Sequence, residues 1–208
     1  MMTLYSVGYS LTRCPFGGVF STFKTINSIE DIQEKGVLLL HGGEDISPSI
    51  YGERPVKTNA KDTPSTRDSK EIELFKHAVS IGMPIIGICR GHQLAACLSG
   101  HSLWQHVNGH LCTHNIVTYD NQTLSASADH HQAVRLNPNV EAIVLAVDTM
   151  ETHAHNEVKE YKLDEVIEAV YYPNTNCLGF QPHPEWMTKD TPFVKWCGQQ
   201  IKKFLIKE

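Results

Sequence analysis

Long apolar runs are missing from this chain of 208 residues. No stretch reaches membrane-spanning length, and Met1 to Ser10 is too short and too polar for a signal peptide, so a cytoplasmic location is expected. A strong charge of one sign is missing too. The 18 Lys and Arg against 23 Asp and Glu leave a formal charge of -5, and the basic residues do not cluster, which argues against a nucleic-acid surface. The cysteines Cys14, Cys89, Cys97, Cys112, Cys177 and Cys197 show no CxxC pairing, which argues against a zinc ribbon. In the cytosol they should be reduced. Internal repeats and low-complexity tracts are absent. What remains is a length that suits one α/β domain and can bury a full core.

Histidine is plentiful, with 12 in the chain. His101, His106, His110 and His114 could be read as a metal cluster. No Cys or carboxylate repeats beside them at ligand spacing, so they are read as a polar loop and strand edge. No metal and no cofactor is expected.

The informative stretch is 84–98. Ile85 to Ile88 has the length and β-branching of a buried strand. Leu94, Ala95, Cys97 and Leu98 then recur at helical spacing. Between them, at Cys89-Arg90-Gly91, the chain must turn sharply, and Gly91 lets backbone approach backbone without a Cβ. A cysteine on such an elbow faces the free N–H groups of a helix N-terminus, which favours thiolate over thiol. Cys89 is therefore the candidate nucleophile, in a geometry like the nucleophile elbow of α/β hydrolases.

The rest of the chain alternates strands and helices. Strands are predicted at Leu4 to Tyr9, Val19 to Ile26 and Val37 to Leu40, with a turn over Arg13 to Gly18 and a short helix over Ile29 to Lys35. Gly42-Gly43 follows the third strand; two glycines there allow a backbone N–H to point at a bound oxygen, as an oxyanion hole requires, although taken alone a plain tight turn is the stronger reading. Residues 52–66 form a polar surface loop, and Ser65 or Thr66 caps the next helix, which Gly82 ends. Past Gly100, β segments are predicted at Leu111 to Tyr119, Thr123 to Ala126 and Val140 to Val147. Met150 to Glu165 reads as a charged surface excursion with weak helical spacing. A hairpin over Val166 to Tyr172 and Cys177 to Phe180 and a last helix over Thr191 to Ile206 complete the chain. The pattern predicts an α/β three-layer sandwich with a mostly parallel central sheet and a small antiparallel patch.

A Cys–His pair needs a third group to orient the imidazole, and a carboxylate does this. His183 and Glu185 lie at i and i+2 in an extended segment, so they can face one site. Together, Cys89-Arg90-Gly91-His92-Gln93, Asp129-His130-His131-Gln132-Ala133-Val134 and Gln181-Pro182-His183-Pro184-Glu185 resemble the class I glutamine amidotransferase-like superfamily, over about Val37 to Trp186. Asp45 to Glu53, Arg67-Asp68 with Glu71, and Pro184-Glu185-Trp186 look most like its γ-glutamyl hydrolase and γ-glutamyl-γ-aminobutyrate hydrolase (peptidase C26) branch. The resemblance implies a single domain over 1–208 and a Cys89–His183–Glu185 triad. It implies an oxyanion hole from the N–H groups of Gly43 and Arg90. It places Gln93 on the substrate side, where a packing role fits as well, and makes His130 a wall or hydrogen-bonding residue. Residues before Val37 fit the family poorly, so a reduced first helix is expected. Asp148 to Glu165 looks like an insertion.

The activity implied is hydrolysis of a γ-glutamyl amide, either glutamine or a γ-glutamyl amine, through a thioester on Cys89. The alternative is a glutaminase that serves as one component of a larger enzyme and passes ammonia to a separate synthase or ligase partner. A catalytically silent binding or regulatory protein on the same fold is disfavoured by the intact Cys, His and Glu. The remaining cysteines, Cys14, Cys97, Cys112, Cys177 and Cys197, are expected to be buried apolar residues.

Overall fold

The computed structural model describes residues 2–11, 16, 18–156 and 159–206. Gly36–Leu40, here β3, and Ile85–Ile88, here β4, are buried along their whole length, as strands covered on both faces must be. They pair in parallel at the centre of a nine-stranded sheet. Outward from β3 lie β1 (Thr3–Val7) and β2 (Thr22–Ile26), both parallel. Beyond β4 comes β14 (Cys177–Phe180), also parallel. From β14 the sheet continues antiparallel through β13 (Val166–Tyr172), β10 (Ile143–Asp148), β7 (His114–Thr118) and β8 (Thr123–Ala126). The fold class read from the sequence is the one observed.

Alternation along the central strands divides the core in two. Leu38, Leu40 and Ile85 pack with Leu74, Phe75 and Ala78 of α1 (Thr66–Ser80) and Leu94 to Cys97 of α2 (Arg90–Leu98). Val37, Leu39, Ile86 and Ile88 face Phe193, Trp196, Cys197 and Ile201 of α3 (Pro192–Phe204) on the opposite side. These are the three layers. Helix α1 starts where Ser65 Oγ accepts from the Asp68 N–H while Asp68 Oδ2 accepts from the Ser65 N–H, a reciprocal cap.

Several local expectations are corrected. The helix over Ile29 to Lys35 is a single 3-10 turn, Ile29–Asp31, because the chain is already extended at Ile32. Met150 to Glu165 is not helical. It holds the hairpin β11 (Thr152–Asn156) and β12 (Lys159–Leu163). The period-2 signal is hidden because β12 is almost wholly exposed. Strands β5 (Ser102–Trp104), β6 (His106–Val107) and β9 (Ala133–Arg135) are too short to leave a period; β5 pairs with β9, and β6 with β11. Cys112 is exposed, whereas Cys97, Cys177 and Cys197 are buried. Cys14 and most of the Arg13 to Gly18 turn lie outside the described residues. No described helix is long and apolar enough to cross a membrane.

Candidate active site

Cys89 stands at the N-cap of α2 with φ 47° and ψ −109°, a left-handed φ that a non-glycine residue holds only under local constraint. The constraint is visible. The Cys89 N–H donates to Phe180 O at 2.8 Å, and the Cys89 carbonyl accepts from Gln93 N at 3.0 Å, so strand and helix are pinned on either side of the turn. Glycine is required twice nearby. A Cβ on Gly91 would lie 2.3 Å from Leu40 O, and one on Gly87 would lie 2.6 Å from the Gly91 carbonyl.

The expected low thiol pKa is not what this environment gives. Burial pushes Cys89 up to about 12. The Arg90 backbone N–H opposes this, and the charges of Glu185, Asp129 and Glu168 add to it. The elbow does supply a favourable N–H, but desolvation of the anion outweighs it. The resting residue is a thiol.

His183 lies nearby, across Gly42. The His183 N–H donates to Ser127 O at 2.7 Å, which fixes its backbone. His183 Nδ1 lies 2.7 Å from Glu185 Oε1. A carboxylate oxygen accepts, so Nδ1 carries the proton and, in the neutral ring, Nε2 holds the lone pair. The ring stacks on Trp186, with centroids 3.6 Å apart and planes within 2°. Gly42 separates His183 from Cys89: a Cβ there would sit 2.8 Å from His183 Cε1 and 3.4 Å from Cys89 Cβ. Cys89, His183 and Glu185 therefore gather at the carboxyl ends of β3, β4 and β14, where open α/β sheets place their sites.

Arg67, legible in the sequence only as part of a motif, governs the Gly42-Gly43 turn. Its Nη2 donates to His41 O at 3.1 Å and Gly42 O at 3.0 Å. In a trans peptide the N–H points opposite to the carbonyl, so anchoring Gly42 O on Arg67 turns the Gly43 N–H away from Arg67. Arg67 Nε also donates to Glu71 Oε1 at 2.8 Å. The Arg90 guanidinium, buried under the elbow, pairs with Glu71 and Asp68. One charged network thus joins α1, the first residue of α2 and the turn after β3. The motif residues Arg67, Asp68 and Glu71 form its α1 side.

Gln93 is held inside the protein: its Nε2 donates to Gln132 O and Gln181 Oε1, each at 3.2 Å. His130 is buried, with Nδ1 on Gln132 O at 2.9 Å and Nε2 turned towards Glu168. A cavity of about 990 Å³ opens beside the elbow, lined by Gly43, Asp45, Ser47, Arg67, Arg90 and His131 among others. Asp45 ties its rim together, since it meets His131 Nε2 at 2.9 Å and accepts from Thr58 Oγ1 at 2.6 Å. A second cavity of about 860 Å³ lies at the other end of the strands, near Gly36 and Pro84, and no described Cys, Ser or Thr lines it. The four clustered histidines of the sequence separate. His101 packs on Tyr172, His106 lies between His131 and His155, and only His110 and His114 stay together.

A parallel-centred α/β sheet with a cysteine elbow facing a His-x-Glu segment defines the class I glutamine amidotransferase-like proteins. The chain belongs within them to the Peptidase C26 family, which matches residues 24–185. It is 31% identical over 179 residues to Rv2859c of Mycobacterium tuberculosis, which carries a provisional glutamine amidotransferase name; the match covers 76% of this chain but only 53% of the relative. The chain thus spans about half the length of that protein. It is 29% identical over 178 residues to the glutamine amidotransferase-like protein YvdE of Lactococcus lactis, covering 73% of this chain and 67% of the other. In fold it is similar to a protein from Thermoplasma acidophilum provisionally named as a GMP synthase component, with TM-score 0.65, 15% identity and coverage of 99% and 94%.

Proposed function

We propose that the protein hydrolyses a γ-glutamyl amide through a thioester on Cys89. The observation that carries this reading is the shared position around Gly42, with Cys89 on one side and the Glu185-bound ring of His183 on the other. In the proposed cycle Sγ attacks the δ-carbonyl carbon while His183 Nε2 takes the thiol proton. The resulting oxyanion sits against the N–H groups of Gly43 and Arg90. Collapse breaks the C–N bond, and the imidazolium returns its proton to the leaving amine. Water then attacks the thioester with His183 again as base, releasing glutamate and restoring the thiol. Glu185 keeps the proton on Nδ1 throughout. Gln93 and His130 support the wall of the pocket.

The same chemistry serves a glutaminase that hands ammonia to a synthase, a reading favoured by the amidotransferase names of its relatives. One experiment separates the two. The purified protein is given glutamine, a γ-glutamyl amine and a folylpolyglutamate side by side, and glutamate release is followed. Free-standing hydrolysis gives substantial turnover of at least one substrate by the protein alone. Turnover only of glutamine, and only after a synthase is added, would overturn it in favour of the ammonia-delivering reading.

A further inference from the structure

Behind the wall that carries Asp129 and His130 lies a second group of ionisable side chains, made by parts of the chain that are remote in sequence. His110 comes from the turn after β6, His114 opens β7, Asp148 ends β10 and Glu168 lies on β13. One nitrogen each from His110 and His114 and one oxygen of Glu168 lie within 4.8 Å of one another. The side chains of His110, His114, His130 and Glu168 are more than nine-tenths buried.

The hydrogen bonds of these rings decide what they offer. His110 Nδ1 meets Asn108 O at 2.8 Å, His114 Nδ1 meets Cys112 O at 3.1 Å and His130 Nδ1 meets Gln132 O at 2.9 Å. A carbonyl can only accept, so each Nδ1 carries a proton, and in its neutral form each ring turns an Nε2 lone pair inward. Those three Nε2 atoms and both Glu168 oxygens make no hydrogen bond among the described residues. His110 Nε2 comes to 3.2 Å from Asp148 Oδ2 without hydrogen-bond alignment. Acceptors facing acceptors in a dry interior repel and lose solvation. A cation at their centre reverses both effects. Backbone carbonyls on the far nitrogen are also the usual support for metal-binding histidines.

We propose that His110, His114 and Glu168 bind a divalent first-row transition ion of the zinc type, with His130 or Asp148 completing the coordination. The spacing fits. Four ligands at zinc bond lengths of about 2.0–2.2 Å stand roughly 3.3–3.6 Å from each other. Glu168 Oε1 lies 3.5 Å from His114 Nε2, 3.7 Å from His130 Nε2 and 4.0 Å from His110 Nε2. Asp148 Oδ2 lies 3.9 Å from His114 Nε2. Imidazole with carboxylate suits zinc, nickel or copper better than calcium or magnesium. A small cavity of about 160 Å³, lined by Asn108, His110, Asp148 and Thr152 among others, gives an ion a way in. With all four ligands from the protein, the site is structural. With His130 as the fourth ligand it would tie β7 and β13 to the segment that presents Asp129 O to Cys89 Sγ at 3.9 Å.

The test is metal content and metal-dependent melting of the full chain, with Cys89→Ser as the control for an ion held by the active-site thiol. Wild type and Cys89→Ser should each retain about one zinc per chain after gel filtration. After chelation, added zinc at a hundredfold excess over Kd should raise Tm by roughly 5–10 °C. Glu168→Gln and His114→Ala should melt cooperatively yet lose both effects. Should those variants fail to fold, cobalt(II) in the wild-type protein still decides. Visible d–d bands with no sulfur charge-transfer band support the site. A thiolate band, loss of the metal in Cys89→Ser, or no stoichiometric zinc and no Tm shift in wild type would overturn it.

Discussion

Cys89 stands between two buried polar clusters that are built in opposite ways. On the α1 side, Arg90 and Arg67 meet Asp68 and Glu71, and the spare donors of Arg67 reach two backbone carbonyls. Opposite charges alternate there. On the β13 side, His110, His114 and His130 turn their Nε2 atoms towards Glu168, and none of these atoms makes a hydrogen bond among the described residues. The first cluster is complete as a piece of protein. The second is arranged as if one positive charge were still to come. A satisfied network can hold an elbow by itself, whereas an unsatisfied one of the same depth points to a ligand.

Removing the group between the clusters should have the largest effect. Cys89→Ser is expected to cost about 10⁴-fold or more in turnover, with Tm within about 2 °C of wild type. Retained glutamate release would remove the nucleophile assignment. The contrast between the clusters is tested next, by melting metal-free variants. Arg90→Met leaves buried Asp68 without a cation and Glu71 with Arg67 alone, and should cost about 3–5 kcal/mol, or roughly 6–20 °C in Tm. Glu168→Gln in the same metal-free background should cost less than about 1 kcal/mol, because it removes an unpaired buried charge. Equal losses would mean the second cluster is as complete as the first.

Smaller effects refine the picture. His183→Ala should reduce kcat more than Glu185→Gln, since a glutamine carbonyl can still accept from Nδ1 while alanine leaves no base. The reverse order would give Glu185 a role beyond orientation. Arg67→Ala frees the carbonyls of His41 and Gly42, so the Gly43 N–H should lose its fixed direction. About a tenfold loss in kcat with little change in KM is expected; a change confined to KM would place Arg67 on substrate instead. A further lever is pH. Burial holds His41 down at about 4 and His92 at about 3, against 6.5 in the unfolded chain. Between about pH 6.5 and 4 the unfolded state binds the extra protons. Stability of the metal-free protein should therefore fall with pH, by up to about 1.4 kcal/mol per pH unit per ring. His41→Asn should flatten that slope, and an unchanged slope would mean His41 is protonated in the fold.

Much of this is legible in the sequence because the signals are local. The apolar run Val37 to Leu40, the strand-to-helix switch at Cys89 and the His183-x-Glu185 pair each declare themselves within a few residues. The thiol pKa is not legible, because the elbow is a local feature while burial is a property of the whole fold. The hairpin at 152–163 escapes because an exposed strand carries no apolar alternation. The histidine cluster has no carboxylate partner nearby in sequence. Glu168 supplies one from a distant strand, and the chance is detectable only as a lone acidic residue inside the apolar run Val166 to Tyr172. Arg67 and Gly42 stand out in the sequence, but their roles do not, for the same reason: each acts through what another element places beside it.

Everything proposed for the reaction depends on Cys89 carrying the acyl group. Acid-quenching the protein during turnover of its best γ-glutamyl substrate, followed by peptide mass spectrometry, tests this directly. The peptide containing Cys89 should gain the mass of one γ-glutamyl group, in a form released by hydroxylamine and absent in Cys89→Ser. Turnover with the adduct on another residue, or continued turnover with Cys89 replaced and no adduct anywhere, would contradict it.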